Sequence, residues 1–278
     1  MEMPRWTIAE LITRYELEPS LTDVFVEGQY DKDILVCAYA HSSVESRSIY
    51  TADVIEINEE LFEKHNLTSG SKQKLIVLCR ELAVVNSSEN VRFIVDRDTD
   101  HWLGDLEIAR GLVWTDFCDI ESYFFEEVFV RDLIENAGKA KIGDWHTFYA
   151  SFCETLKILF AIRIVDRNLK LYLSYITFDR FLSVDGGIVH FDFETYVDRV
   201  LNKSRLSGRK QDFLDGYNEW IGKLQGEPRL FCRGHDFILL IAWSILKFKG
   251  VKNFSDEVVA RILVVLVPRD TKKFASLL

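Results

Sequence analysis

Residues 22–35, TDVFVEGQYDKDIL, and residues 91–100, VRFIVDRDTD, decide the fold of this chain. In each stretch a short, continuous apolar run ends in acidic residues. Continuous apolar runs of this length are typical of strands that are buried on both faces in a parallel sheet. Helical patterns separate the two runs, which indicates βαβ units and a mostly parallel α/β sheet.

The segments around these two strands continue the alternation. The further elements predicted on this side of the chain are helices at about 31–40 and 72–85, a β-rich stretch at 50–57 and a last short strand at 111–115. From residue 126 onward, apolar residues recur at helical spacing over six segments. We therefore predict an α/β domain, a parallel sheet flanked by helices, over 1–125 and a mainly α-helical region over 126–278.

The composition excludes several classes of protein. The 278 residues are 48% hydrophobic and contain no apolar run of the length that a membrane span requires. The start, MEMPRWTIAELI, lacks the pattern of a signal peptide, so we expect a cytoplasmic protein. The five cysteines are scattered without a CxxC pair, which argues against a zinc site. A net charge of -10 argues against broad, non-specific binding of nucleic acid.

Three acidic clusters follow apolar, strand-like runs. Because the carboxyl ends of parallel strands meet at one edge of a sheet, these clusters are expected to converge there. Crowded carboxylates repel one another unless a cation neutralises them, and Mg²⁺ prefers hard oxygen ligands, with Mn²⁺ as the alternative. The clusters are Glu27 with Asp31 and Asp33, Asp96 with Asp98 and Asp100, and Asp119 with Glu121.

A structural interpretation of these acids stays open. An acid directly after a strand often forms a turn or caps a helix. Asp31 and Asp33 are also typical of a first helical turn, where the helix dipole favours negative charge. Asp96 and Asp98 are harder to explain in this way, because alternate residues at a strand end point to the same side and their charges repel.

These segments resemble the Toprim family. Residues 24–35, VFVEGQYDKDIL, are similar to the first Toprim motif, an apolar strand that ends in Glu and Gly. Residues 93–100, FIVDRDTD, are similar to the second, a strand followed by Asp-x-Asp. Residues 115–125, TDFCDIESYFF, resemble the acidic segment of OLD-like Toprim nucleases, a branch that includes the Toprim effectors of PARIS anti-phage systems. The resemblance covers about residues 22–125.

The resemblance implies a role for each matching acid. Glu27 would serve in acid–base catalysis, and Asp96 and Asp98 would bind Mg²⁺. Glu121 matches the extra acid of the OLD-like branch, and Asp31 lies where that branch often has a second acid. The implied activity is Mg²⁺-dependent hydrolysis of phosphodiester bonds.

The same resemblance implies a biological setting. It indicates a toxic effector in bacterial anti-phage defence by abortive infection, acting on tRNA, another RNA or DNA, as a monomer or a homodimer. An ABC-like ATPase would restrain it, and this chain has no phosphate-binding GxxxxGK[ST] loop of its own. The alternative is a catalytically silent Toprim-fold module that regulates or binds a nucleotide.

Two other segments carry charge that could contact phosphates. The densest basic stretch, KSRLSGRK, contributes Lys203, Arg205, Arg209 and Lys210 as candidate substrate-binding residues; the alternative is a solvated loop between two helices. Residues 233–237, RGHDF, begin a strongly apolar helix. We interpret them first as a helix start capped by Gly234 or Asp236, although a helix start can also bind anions.

Overall fold

The computed structural model describes residues 5–83 and 90–278, which form two compact units. Unit 1 contains the described residues up to Arg97 together with Leu106–Asp116 and Val264–Leu278, and unit 2 contains Asp98–Asp105 and Phe117–Leu263. The sequence predicted a boundary near residue 125, whereas this division assigns residues 117–125 to unit 2. The last two residues of the predicted helix 72–85 lie outside the described residues.

A four-stranded, all-parallel sheet is the centre of unit 1. Its strand order is β3-β2-β5-β6, and helices flank it. The prediction of an α/β fold with a parallel sheet flanked by helices is therefore confirmed. The elements of unit 1 are β1 (Trp6–Thr7), α1 (Ile8–Leu17), β2 (Asp23–Val26), α2 (Gln29–Ala40), β3 (Ser48–Thr51), β4 (Ile55–Glu56), α3 (Glu59–Lys64), α4 (Ser71–Leu82), β5 (Arg92–Val95) and β6 (Leu112–Trp114).

The two apolar runs form the neighbouring central strands β2 and β5. Phe25 pairs with Phe93 across them, and the two rings stack with centroids 5.6 Å apart. Both side chains are buried, together with apolar residues of α1 and α4. Burial on both faces explains why these strands are continuous apolar runs rather than alternating ones.

The predicted β-rich stretch at 50–57 is divided in the structure. β3 ends at Thr51, a short 3₁₀ turn covers Ala52–Val54, and β4 pairs in parallel with β1 in a separate two-stranded sheet. The Thr51 hydroxyl donates a hydrogen bond to the Asp53 carboxylate, which stabilises the turn. A local polar contact of this kind interrupts a strand that the apolar pattern alone predicts as continuous.

Unit 2 is built around the long helix α7. α9 and β8 both pack against α7, and the side chains of Phe125, Phe152 and Phe237 contact one another in the core. A π-helical turn, Asp132–Ala137, continues α6. The remaining elements are α5 (Asp100–Leu103), α6 (Glu127–Arg131), α7 (Trp145–Asn168), β7 (Leu182–Asp185), β8 (Ile188–Phe191), α8 (Phe193–Lys203), α9 (Lys210–Lys223), α10 (Gly234–Lys247) and α11 (Asp256–Leu266), which crosses the division between the units.

The hairpin of β7 and β8 was not among the predicted elements. Its turn contains Gly186 and Gly187, whose φ angles are +56° and +86°. Two consecutive residues with positive φ are typical of a tight hairpin turn, which glycine adopts without steric cost. The paired glycines between two apolar runs are the sequence signal that could have predicted it.

Within the described part of the chain, no helix combines the length and the apolar character needed to cross a membrane.

Candidate active site

Glu27 and Asp96 lie together at the carboxyl edge of the sheet in unit 1. Glu27 directly follows β2 and Asp96 directly follows β5, and these two strands are neighbours. The Asp96 backbone N–H donates a 2.9 Å hydrogen bond to the Glu27 carboxylate, and both residues are half-buried. The convergence that the sequence predicted at the sheet edge is therefore present for this pair.

The turn after β5 is held by the end of β6. The Thr115 N–H donates to the Val95 carbonyl at 3.0 Å, and the Arg97 N–H donates to the Thr115 hydroxyl at 3.1 Å. Two consecutive amides, those of Asp96 and Arg97, thus have fixed acceptors, which orients the backbone that carries the Asp96 carboxylate. The role of Thr115 was not predicted from the sequence, because nothing about a threonine at a strand end distinguishes this role.

Asp31 has the geometry of a helix cap. Its carboxylate accepts a 2.9 Å hydrogen bond from the Gly28 N–H at the start of α2. Asp33, one turn after Gln29, accepts a 2.7 Å hydrogen bond from the Gln29 side-chain amide. These contacts match the structural interpretation of both acids, and the metal-binding role of Asp31 stays a prediction.

In unit 2, Asp98 has an unusual backbone conformation. Its φ is +43°, and its N–H donates a 2.7 Å hydrogen bond to the Cys118 carbonyl. Aspartate and asparagine are the residues besides glycine that tolerate this left-handed region best. The bond places Asp98 beside the segment that carries Asp119.

Asp119 is a buried carboxylate that links two segments of unit 2. Its carboxylate accepts hydrogen bonds from the Ser122 N–H at 3.0 Å, from the Ser122 hydroxyl at 2.5 Å and from the Gly234 N–H at the start of α10. Burial raises the pKa of Asp119 to about 7, and the nearby charge of Asp98 acts in the same direction, whereas the bonds from Ser122 and Gly234 oppose it. Asp119 therefore joins two segments that are far apart in the sequence.

Glu121 lies against the same helix start. It begins the 3₁₀ helix Glu121–Phe124, and a Cβ placed on Gly234 would come within 2.6 Å of the Glu121 Cβ and within 2.7 Å of its carboxylate. Only glycine leaves room for Glu121 in this position. The backbone of Gly234 thus keeps Glu121 and Asp119 at one place in unit 2.

The start of α10 differs from the prediction that Gly234 or Asp236 caps this helix. The N-cap of α10 is Arg233, and the Gly234 amide is bound by the Asp119 carboxylate. Asp236 is buried and accepts two 3.0 Å hydrogen bonds from the Arg163 guanidinium of α7. The sequence could not predict this pair, because an arginine within a long amphipathic helix looks like any polar-face residue.

Three of the four candidate substrate-binding residues, which lie around the loop between α8 and α9, have partners inside the protein. The Lys203 amine donates to the Tyr175 carbonyl at 2.8 Å, Arg209 pairs with Asp212 at 2.6 Å, and Lys210 pairs with Asp198 at 2.6 Å. Arg205 lies in the left-handed region at φ +60°. The contacts match the alternative of a solvated loop between α8 and α9, and substrate binding by these residues stays a prediction.

The donor chemistry of the sheet edge fits Mg²⁺. Glu27 and Asp96 offer carboxylate oxygens, and Mg²⁺ keeps several waters and needs few protein ligands. Across residues 5–83 and 90–278, no group of three or more His, Cys, Asp or Glu side chains is arranged to hold a metal ion. The pair at the sheet edge is thus a partial donor set, of the kind that a phosphate substrate completes.

No family model matches this chain, and no curated protein matches it at a significant level.

Proposed function

We propose that this protein is a Mg²⁺-dependent nuclease that hydrolyses phosphodiester bonds in tRNA, another RNA or DNA, and that Mn²⁺ substitutes for Mg²⁺. The observation that carries the proposal is the contact between the Glu27 carboxylate and the Asp96 amide at the carboxyl edge of a parallel sheet. Ligands of α/β proteins bind at this edge. Half-buried carboxylates there are suited to a cation and a phosphate.

The chemistry divides between the cation and the side chains. Bound Mg²⁺ would supply charge neutralisation for the scissile phosphate and lower the pKa of water there. Glu27 would accept a proton from the attacking water or donate one to the leaving oxygen. The Thr115 hydroxyl and the Glu27 carboxylate would keep the turn after β5 fixed, so that Asp96 presents its oxygens without rearrangement.

Other Mg²⁺-binding residues follow from the resemblance to Toprim nucleases. By that resemblance we propose Mg²⁺ binding by Asp98 and Glu121, and by Asp31. The left-handed backbone of Asp98 and the glycine that accommodates Glu121 support the importance of these two positions. Backbone conformations of this kind occur often at functional sites.

The proposed setting is bacterial anti-phage defence in the cytoplasm. A nuclease that cleaves cellular nucleic acid must be restrained until infection, and an ABC-like ATPase is the proposed partner. The defensive role and the partner rest on the resemblance alone. A neighbouring gene that encodes an ATPase, and toxicity on expression without it, are the first observations to seek.

The activity can be tested directly. Purified protein is incubated with total tRNA, total RNA and plasmid DNA in Mg²⁺, in Mn²⁺ or in EDTA, beside the variants Glu27→Gln and Asp96→Asn. We expect cleavage with either cation and none in EDTA. Each variant should lose about 100-fold or more, because Glu27→Gln removes the acid–base group and Asp96→Asn removes a charged ligand of the cation.

Glu60→Gln is the matched control. Glu60 is an exposed acid of α3, and the Glu60→Gln protein should cleave like the wild type. Cleavage by Asp96→Asn that persists in EDTA would contradict the proposal, and so would the absence of cleavage of all three substrates by the wild type in Mg²⁺ and in Mn²⁺.

A further inference from the structure

A cleft in unit 2 has a wall of arginine side chains. Its volume is about 230 Å³, and Asp98, Asp166 and the aromatic ring of Tyr175 also line it. The arginines are Arg163 and Arg167 of α7 and Arg233 at the start of α10. Arginine in a cleft is the side chain best suited to phosphate, because its planar guanidinium donates several hydrogen bonds in a fixed geometry.

Arg163 is held in one orientation. Its Nε and Nη2 each donate a 3.0 Å hydrogen bond to Asp236, and its guanidinium lies over the Tyr175 ring, 4.6 Å from the centroid. Nη1 makes no hydrogen bond to the described residues. A fixed guanidinium with one nitrogen still available binds an anion with little loss of side-chain entropy.

Arg233 shares the same carboxylate at longer range. Its Nη1 lies 3.9 Å from Asp236, and 43% of its side chain is exposed. It forms no other ion pair with residues in the described ranges. Two guanidinium groups therefore face a single buried carboxylate, which leaves one positive charge without a close partner.

Arg167 has a different role. It donates to the Thr99 hydroxyl and pairs with both Asp100 and Asp105, so two carboxylates offset its charge. Asp166 is occupied too, since it accepts hydrogen bonds from the Leu173 N–H and the Tyr175 hydroxyl. The positive groups that remain for a ligand are those of Arg163 and Arg233.

The size of the cleft limits the ligand. Pockets for whole drug-sized ligands start at about 300 Å³, so this cleft is suited to one phosphate and its attached sugar rather than to a complete mononucleotide. The first amide of α10 is not available to a ligand, because Asp119 accepts a hydrogen bond from it. The arginine side chains are therefore the groups that we expect to recognise the phosphate.

We propose that Arg163 and Arg233 bind one backbone phosphate of the nucleic-acid substrate. The inference rests on the proposed function in one respect, since that function supplies the nucleic-acid strand whose phosphate is bound. Both guanidinium groups position the strand rather than react with it.

The test measures binding without cleavage. A fluorescent oligoribonucleotide is titrated with the Glu27→Gln protein, which is expected not to cleave, in Mg²⁺ and in EDTA, and anisotropy gives the Kd. Adding Arg233→Gln should weaken binding about tenfold in Mg²⁺, and should lower the slope of log K against log salt by about one. Adding Arg180→Gln, which removes an exposed arginine outside the cleft, should change neither quantity.

Arg163→Lys is a second variant, which keeps the positive charge but cannot make the bidentate pair with Asp236. Its thermal unfolding is measured beside its Kd, so that a loss of binding can be distinguished from a loss of folding. If Arg233→Gln binds as tightly as Arg180→Gln at every salt concentration, the inference is wrong. Inhibition by free ATP at concentrations where inorganic phosphate has no effect would also overturn it, because it would indicate a nucleotide pocket.

The two proposals fail in different ways. Cleavage by the wild type combined with an unchanged KM in Arg233→Gln would remove the phosphate site and leave the nuclease. Binding that depends on Arg233, without cleavage of any substrate, would leave the phosphate site and remove the nuclease.

Discussion

The acids at the sheet edge of unit 1 and the acids around α10 of unit 2 follow similar sequence patterns but have different surroundings. Glu27 and Asp96 are half-buried, and they meet through a backbone amide. Asp119 and Asp236 are buried, and each accepts bonds from donors distant in the sequence. An acid next to an apolar run can therefore be a candidate ligand or a structural residue, and its burial and its hydrogen-bond partners distinguish the two.

The largest effect on stability should come from breaking the pair of Arg163 and Asp236 in unit 2. Asp236→Ala leaves the Arg163 guanidinium without its bidentate partner, and we expect the free energy of unfolding to fall by about 3 kcal/mol. Urea denaturation followed by circular dichroism measures it. Asp212→Ala is the control, because it breaks an exposed pair with Arg209 and should cost about 0.5 kcal/mol. Equal losses in the two variants would contradict the comparison.

The second predicted effect is a pH dependence of the free energy of unfolding, caused by the titration of Asp119. Burial raises its pKa to about 7 in the folded protein, above the value of about 3.9 in an unfolded chain, so the folded state binds more protons between these values. Its contribution to stability is fully present below pH 4 and is lost as the pH rises to 7, with a slope of up to about 1.4 kcal/mol per pH unit.

Denaturation in EDTA at several pH values between 4 and 8 measures this slope. Asp119→Asn removes the titrating group, so its stability should change less with pH over the same range. Identical pH profiles for the wild type and Asp119→Asn would show that Asp119 does not titrate in this window.

A smaller effect separates the two interpretations of Asp31. Asp31→Ala removes the acceptor of the Gly28 amide and should lower the free energy of unfolding by about 1 kcal/mol. If capping is its main role, nuclease activity under conditions where the protein stays folded should be nearly unchanged. A loss of activity as large as that of Asp96→Asn would instead assign Asp31 to the metal.

The smallest stability effect is expected for Glu27→Gln. The glutamine side chain keeps an oxygen that can accept from the Asp96 amide, so the free energy of unfolding should change by less than about 0.5 kcal/mol. Activity should nevertheless be lost. A destabilisation comparable to that of Asp236→Ala would place Glu27 among the structural acids.

The sequence predicted the central strands well because their signal is local. β2 covers Asp23–Val26, where the apolar run within residues 22–35 predicted a strand, since a short apolar run between polar residues has few alternatives to a buried strand. α2 begins at Gln29, two residues before the predicted start, because the Asp31 side chain caps it from within the first turn. Contacts within a few residues are accessible to sequence patterns.

The parts that the sequence did not predict depend on distant partners. Asp119 and Gly234 are 115 residues apart, and Arg163 and Asp236 are 73 apart. No periodicity indicates such pairs, because each residue alone is compatible with a solvated helix or loop. The arginine cleft could therefore be recognised only from the folded chain, whereas the approach of Glu27 to Asp96 was predicted because both acids follow strands of a parallel sheet.

The positive φ of Asp98 makes that position a place where stability and chemistry favour different residues. Glycine and asparagine adopt a left-handed backbone at least as readily as aspartate. A library randomised at position 98 and screened for heat resistance alone should return these two uncharged residues. The same library screened for cleavage should return aspartate, and the difference between the two outcomes would measure what the protein gives up to keep a carboxylate there.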